Sequence, residues 1–98
     1  MVEIRWLEEA KNDLNEIFDY IALDSKKYAS RQVEKIISKT QLIKKLIRSG
    51  KVVEEINNPD IRELIEGNYR IIYRIIDEKT ADILMIHHSA RDLKNRLK

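Results

Sequence analysis

The 98-residue sequence contains no cysteine. That excludes a disulfide framework and any thiolate metal site. It contains two glycines, too few for a glycine-rich loop that cradles phosphate, and a single proline. No apolar run approaches the roughly 20 residues needed to span a bilayer. The first residues alternate charged and apolar side chains instead of forming the apolar block of a signal peptide. The expectation is one soluble, cytoplasmic domain.

Charge is abundant. Charged residues make up 37% of the chain, against a typical share of about 25%. The net charge of only +2 hides a strong pattern. Leu7 to Asp24 holds six acids and one lysine, whereas Lys26 to Lys51 holds nine bases and one acid. His87 to Lys98 adds four bases against one acid. Segregation of this kind either sets two helices side by side, leaves a basic surface for nucleic acid or an acidic partner, or simply marks solvated helix faces.

The chain is organised around Arg62 to Arg91, which reads as three strands joined by two tight turns. Gly67-Asn68 is the first turn, because both residue types tolerate positive φ. The second is Asp77 to Thr80. Period 2 puts Tyr69, Ile71, Tyr73 and Ile75 on one face of the middle strand and Arg70, Ile72, Arg74 and Ile76 on the other. In the last strand Ile83, Met85 and His87 alternate with Leu84, Ile86 and His88. Arginines on so apolar a strand need a partner, either a carboxylate or an anion.

Upstream, Val2, Ile4 and Trp6 alternate with charge, which predicts a strand with one buried face. Leu7, Ala10, Leu14, Ile17, Phe18 and Ile21 form a helical stripe. Ser25 can cap a second, long helix over Lys26–Ser49, with Gly50 as its terminating C′ glycine. The short link makes the two helices an antiparallel hairpin. Lys51–Ile56 reads as a short strand, Asn57 to Asp60 as a turn, and Ala90–Lys98 as a short basic helix or a frayed end. The expected fold is α+β, ordered β-α-α-β-β-β: a helical hairpin packed on a mainly antiparallel sheet, one domain over residues 1–98.

Several residues together resemble the RelE/ParE superfamily of toxins from toxin–antitoxin pairs. These are Trp6; Ala10 with Asp13-Leu14, Ile17 and Tyr20-Ile21; Arg62-Glu63-Leu64; Gly67-Asn68-Tyr69-Arg70-Ile71 and Tyr73; and His88 with Arg91-Asp92-Leu93. The resemblance runs over nearly the whole chain. It implies the RelE-like fold, an antitoxin partner in a hetero-oligomer, and growth arrest when the antitoxin is lost. RelE-like members cut messenger RNA on the ribosome and ParE-like members poison DNA gyrase. The ending Ile83–Leu93, with histidine just ahead of Ser89-Ala90-Arg91-Asp92-Leu93, looks like the ParE type. The two late histidines keep the endoribonuclease as the alternative, and a non-toxic basic binding module on the same fold is a third reading.

RNA cleavage through the 2′-OH needs a base, an acid and positive charge on the phosphate. Arg62, Arg70, His88 and Arg91 are the candidate catalytic set for that reaction, with His87 and Arg74 behind them. Against these stand structural readings. Each arginine can pair with Glu63, Glu66 or Asp82 across the sheet, one histidine can be structural, and Tyr69 and Tyr73 can be core. No third ligand at a recognisable spacing joins His87 and His88 to make a metal site, and no cofactor is implied. Ser89 beside His88 is no catalytic triad, since adjacent strand residues diverge.

Overall fold

In the computed structural model, which describes all 98 residues, alternation and helical periodicity build nine elements. These are β1 (Glu3–Trp6), α1 (Glu8–Ala22), α2 (Lys26–Lys39), α3 (Gln41–Lys45), β2 (Lys51–Val52), β3 (Ile61–Glu66), β4 (Tyr69–Asp77), β5 (Thr80–His88) and α4 (Leu93–Arg96). One five-stranded sheet runs in the order β1-β5-β4-β3-β2. β1 lies parallel to β5, and all other neighbours are antiparallel. The expected α+β hairpin-on-sheet architecture is therefore present. No helix is long and apolar enough to cross a membrane.

The α1–α2 hairpin covers one face of the sheet. Ala10, Ile36, Ile43, Ile71, Tyr73, Ile83 and Ile86 form the main core there, with Ile4, Trp6, Leu14 and Ile17 packed around them. The other face carries a smaller cluster, in which Val53 from the segment after β2 and Leu93 of α4 close over Ile72. Both faces of the sheet's middle are thus covered.

Ser25 caps α2 as expected, its hydroxyl accepting from the Tyr28 amide at 3.2 Å. The long second helix does not persist to Ser49. It breaks at Thr40, whose hydroxyl donates back to the Ile37 carbonyl at 2.6 Å, a bond that competes with the helical ladder. α3 then adds one more turn, and Leu46 is already extended at φ −149°. Ile43 and Ile47 stay buried, whereas Leu42 and Leu46, expected to widen the apolar stripe, are exposed.

Gly50 is consequently no helix-ending glycine, and only Gly67 has positive φ among the glycines. Gly50 packs under the sheet instead. Its amide donates to the Tyr73 hydroxyl at 2.9 Å, and that hydroxyl donates to the Ile47 carbonyl at 2.8 Å. In the Gly67-Asn68 turn only the glycine, at φ +59°, occupies the left-handed region. The strand expected over Lys51–Ile56 is limited to Lys51–Val52.

A β-bulge changes the facing of β5. Ile72 pairs with Met85 and Tyr73 with Ile83, so Leu84 is an extra residue. Ile83 and Ile86 therefore share the core face, which strict alternation would have forbidden. Past the bulge His88 turns toward the helices and His87 away from them.

Candidate functional site

β1 is shorter than β5. Its pairing ends where Trp6 meets Ile83, and the Leu7 amide closes the ladder on the Ile83 carbonyl at 3.1 Å. Beyond that point the β5 edge would be bare. Asp13 of α1 accepts from the Ile86 amide at 2.8 Å, and Arg96 of α4 donates to the Ile86 carbonyl at 3.3 Å. Arg96 also pairs with Asp13 and, at 2.9 Å, with Glu9. Burial opposes the Arg96 charge, but the bonds to Asp13 and Glu9 outweigh it and raise the guanidinium pKa. Two acids of α1, Glu9 and Asp13, therefore pair with the C-terminal tail, and no ion pair joins α1 to the basic helix α2.

His87 is buried beneath this tail. Its Nε2 lies 3.1 Å from the Arg91 carbonyl and its Nδ1 lies 3.4 Å from an Arg96 nitrogen. A carbonyl only accepts and a guanidinium only donates, so these contacts match the tautomer with its hydrogen on Nε2. Both nitrogens are committed, and His87 is the structural histidine of the pair.

His88 is half-buried on the opposite face. Its Nδ1 accepts from the Ala90 amide at 3.1 Å, which leaves Nε2 as the free donor. Its ring stands edge-on to Tyr69, with centroids 5.3 Å apart and planes at 84°. Burial raises the Tyr69 phenol pKa. Arg91 is exposed and no carboxylate lies within ion-pair distance of it. His88, Tyr69 and Arg91 line a groove of about 1120 Å³ with Tyr20 and Ile17, and Glu16 stands on its acidic wall. This arrangement offers an imidazole, a phenol and an unpaired guanidinium over an apolar floor, which suits an anionic or aromatic guest.

His87 borders the groove with both ring nitrogens engaged, and Arg62, Arg70 and Arg74 do not reach it. Arg70 is tied on the sheet's other face by two forked ion pairs, with Glu63 at 2.9 and 2.8 Å and with Glu55 at 2.8 and 2.8 Å. The hydrogen bonds to Glu55 and then Glu63 raise the Arg70 pKa further above its usual value. In return the Arg70 hydrogen bonds hold the Glu55 carboxyl down at about 2. Arg62 donates to the carbonyls of Pro59 at 2.9 Å and Gly50 at 3.0 Å, and so fastens the run-in to β2. Arg74 is exposed, and its cross-strand neighbour Asp82 is already taken by Arg5 at 2.6 and 3.1 Å. Of the six residues singled out by the sequence, only His88 and Arg91 converge with free polar atoms. Tyr73 is core, while Tyr69 lies between core and groove. No group of three histidines, aspartates or glutamates gathers that could hold a metal.

The sequence reading missed the Asp13–Arg96 pair. Its signal was an acid inside the apolar stripe of α1, between Ala10 and Leu14. Asp13→Ala should free the Ile86 amide and loosen α4, at a cost of about 1–3 kcal/mol for the orphaned bonds. Hydrogen exchange should show the loss first at Ile86 and in the α4 amides, ahead of the β4–β5 core.

The model of a sequence family described as the ParE toxin of the type II toxin–antitoxin system parDE matches residues 4–93. No curated protein matches the chain significantly. Among solved structures, the chromosomal ParDE toxin–antitoxin system from P. aeruginosa aligns at 24% identity and a TM-score of 0.72. That alignment covers 90% of this chain and 96% of the other. The toxin–antitoxin complex RelBE2 from Mycobacterium tuberculosis aligns at 22% identity and a TM-score of 0.58, covering 89% and 96%. At these identities the two structures establish the shared fold.

Proposed function

The chain belongs to the family of ParE toxins of type II toxin–antitoxin systems, and from that premise we propose that it arrests growth by acting on DNA gyrase and that a cognate antitoxin neutralises it. The observation that carries this over messenger-RNA cleavage is the placement of Arg70. RNA cleavage needs an acid–base pair and positive charge gathered on the phosphate, and the groove holds Arg91 as its one unpaired guanidinium. Here the Arg70 charge is neutralised by Glu55 and Glu63 behind the sheet, and His88 opens in front of it. A gyrase poison needs a shaped contact surface and no reacting set, and the groove around His88, Tyr69 and Arg91 supplies one. The antitoxin part rests on the family and on the basic run from Lys26 to Lys51, which would attract an acidic chain.

The test is a supercoiling assay with purified gyrase. Wild-type protein should inhibit supercoiling and accumulate cleaved-DNA complexes. Arg91→Ala and His88→Ala should each raise the inhibitory concentration roughly tenfold, equivalent to about 1.4 kcal/mol of contact energy, at unchanged Tm. Undisturbed supercoiling without cleaved complexes would sink the gyrase reading. One observation favours the ribonuclease as a second reading, namely the free His88 donor beside Tyr69 and Arg91. It predicts codon-register cuts in a translation extract, abolished by His88→Ala. Induction of the chain alone without any growth arrest would instead leave the binding module.

A further inference from the structure

The edges of the sheet differ in how they are closed. β2 is two residues long, which is one way natural sheets blunt an edge. The end of β5 is capped by Asp13 and Arg96. β1 is different. It pairs with β5 on one side and with nothing on the other. The amides of Glu3 and Leu7 point into the sheet, on Lys79 and Ile83. By strand alternation the peptide groups of Ile4 and Trp6 point outward. Beside this edge runs a groove of about 400 Å³ between β1 and one row of the α2–α3 wall. Ile4 and Trp6 line one side, and Ile37, Thr40 and Lys44 the other. Ile37 is 42% exposed, although it lies in the apolar stripe of its helix.

We infer that the free edge of β1 and this groove form a docking site for an extended acidic segment of a protein partner, which adds as a sixth strand. Three features fix the chemistry of the occupant. The outward peptide groups of Ile4 and Trp6 require a backbone in β conformation. The apolar groove takes every second side chain of such a strand. Within the groove Lys44 stands against Glu3, but the helical wall behind Lys44 belongs to a stretch with nine bases and one acid, so acidic residues are favoured. A second copy of this chain fits less well. Antiparallel self-pairing about Ile4 would set Glu3 against Arg5, but Arg5 already holds Asp82 and the two basic walls would repel. In the antitoxin reading above, on which this inference rests, the occupant is an acidic stretch of the antitoxin.

The experiment is amide hydrogen exchange, resolved by NMR, on the full chain alone and in complex with its co-expressed antitoxin. In the complex the Ile4 and Trp6 amides should exchange at least roughly tenfold more slowly, and in the free chain they should be fast at every concentration. Lys44→Glu and Ile37→Ser should each weaken antitoxin binding by roughly tenfold or more without lowering Tm. Arg74→Glu, on the opposite face of the sheet, should leave it unchanged. A complex in which Ile4 and Trp6 exchange freely would overturn the inference and leave the antitoxin reading standing. Protection that grows with concentration in the free chain would assign the edge to a second copy and overturn it as well. Absence of any complex would remove the antitoxin reading, and this inference with it.

Discussion

Arg70→Ala should destabilise the fold by about 3–5 kcal/mol, the range expected when one partner of a buried ion cluster is removed. Glu63 is only 4% exposed, so without Arg70 its charge is stranded behind the sheet. Glu55 loses its partner as well, which releases the segment that carries Val53 over Ile72. Urea unfolding measures the loss. A pH series adds a second signature. Arg70 holds the folded-state Glu55 pKa at about 2, below the usual 4.5. A depressed carboxyl pKa contributes stability above the unfolded value and loses it as pH falls through the folded value. Wild-type stability should therefore decline between about pH 4.5 and pH 2, and the Glu55 share of that decline should be missing in Arg70→Ala. The triple variant Arg70→Met, Glu55→Gln, Glu63→Gln should recover part of the loss. For function, a growth-arrest defect in Arg70→Ala should follow its Tm, and raising stability elsewhere should restore arrest.

Gly50→Ala should cost about 3 kcal/mol or more, an overpacking penalty of about 1–3 kcal/mol with a broken buried hydrogen bond on top. The added carbon would lie 2.6 Å from the Glu63 carbonyl oxygen and 2.8 Å from the Tyr73 ring. The nearest atom is main chain of a central strand, so it cannot step aside as a flexible side chain would. Moving Gly50 away breaks its bond to the Tyr73 hydroxyl and weakens the hydroxyl's grip on Ile47. Tyr73→Phe separates the two effects. It should leave the packing intact and cost about 1–3 kcal/mol for unpaired buried groups. Thermal unfolding of both variants against wild type is sufficient.

Period and turn chemistry made the outline of the fold legible. Alternation in Val2–Trp6 and Tyr69–Ile76 located the strands, Ser25 located a cap, and the short link at residues 24–25 implied the hairpin. What escaped was tertiary. The Thr40 break depends on one hydroxyl choosing a carbonyl of its own helix. The close fit of Gly50 depends on Tyr73, 23 residues away. For the site, the residue types were legible but their facing was not. Arg70 and Arg74 were rightly placed on one side of β4, and Glu63 was foreseen as a partner. Glu55, in an irregular turn, carries no periodic signal that could have identified it. The front–back separation of Arg70 from His88 follows from pairing, Arg70 lying opposite His87 and Tyr69 opposite His88, a register that the turn at Asp77–Thr80 sets and that two compensating shifts along the ribbon leave unchanged.

One of those shifts leaves Leu84 surplus. Two adjacent imidazoles face opposite sides in any strand, and the surplus residue sets which of them shares the face of Ile83: His88 does and is presented to solvent, while His87 is walled in as a fastener for the tail. Deleting Leu84, or inserting one residue beside it, would restore plain alternation and leave both histidines facing as they do, because Met85 to His88 stay opposite Ile72 to Tyr69. Relatives with and without this bulge therefore present the same imidazole, and the partner across the ribbon, Tyr69 for His88, is a safer guide to which ring is available than the count of residues back to Ile83.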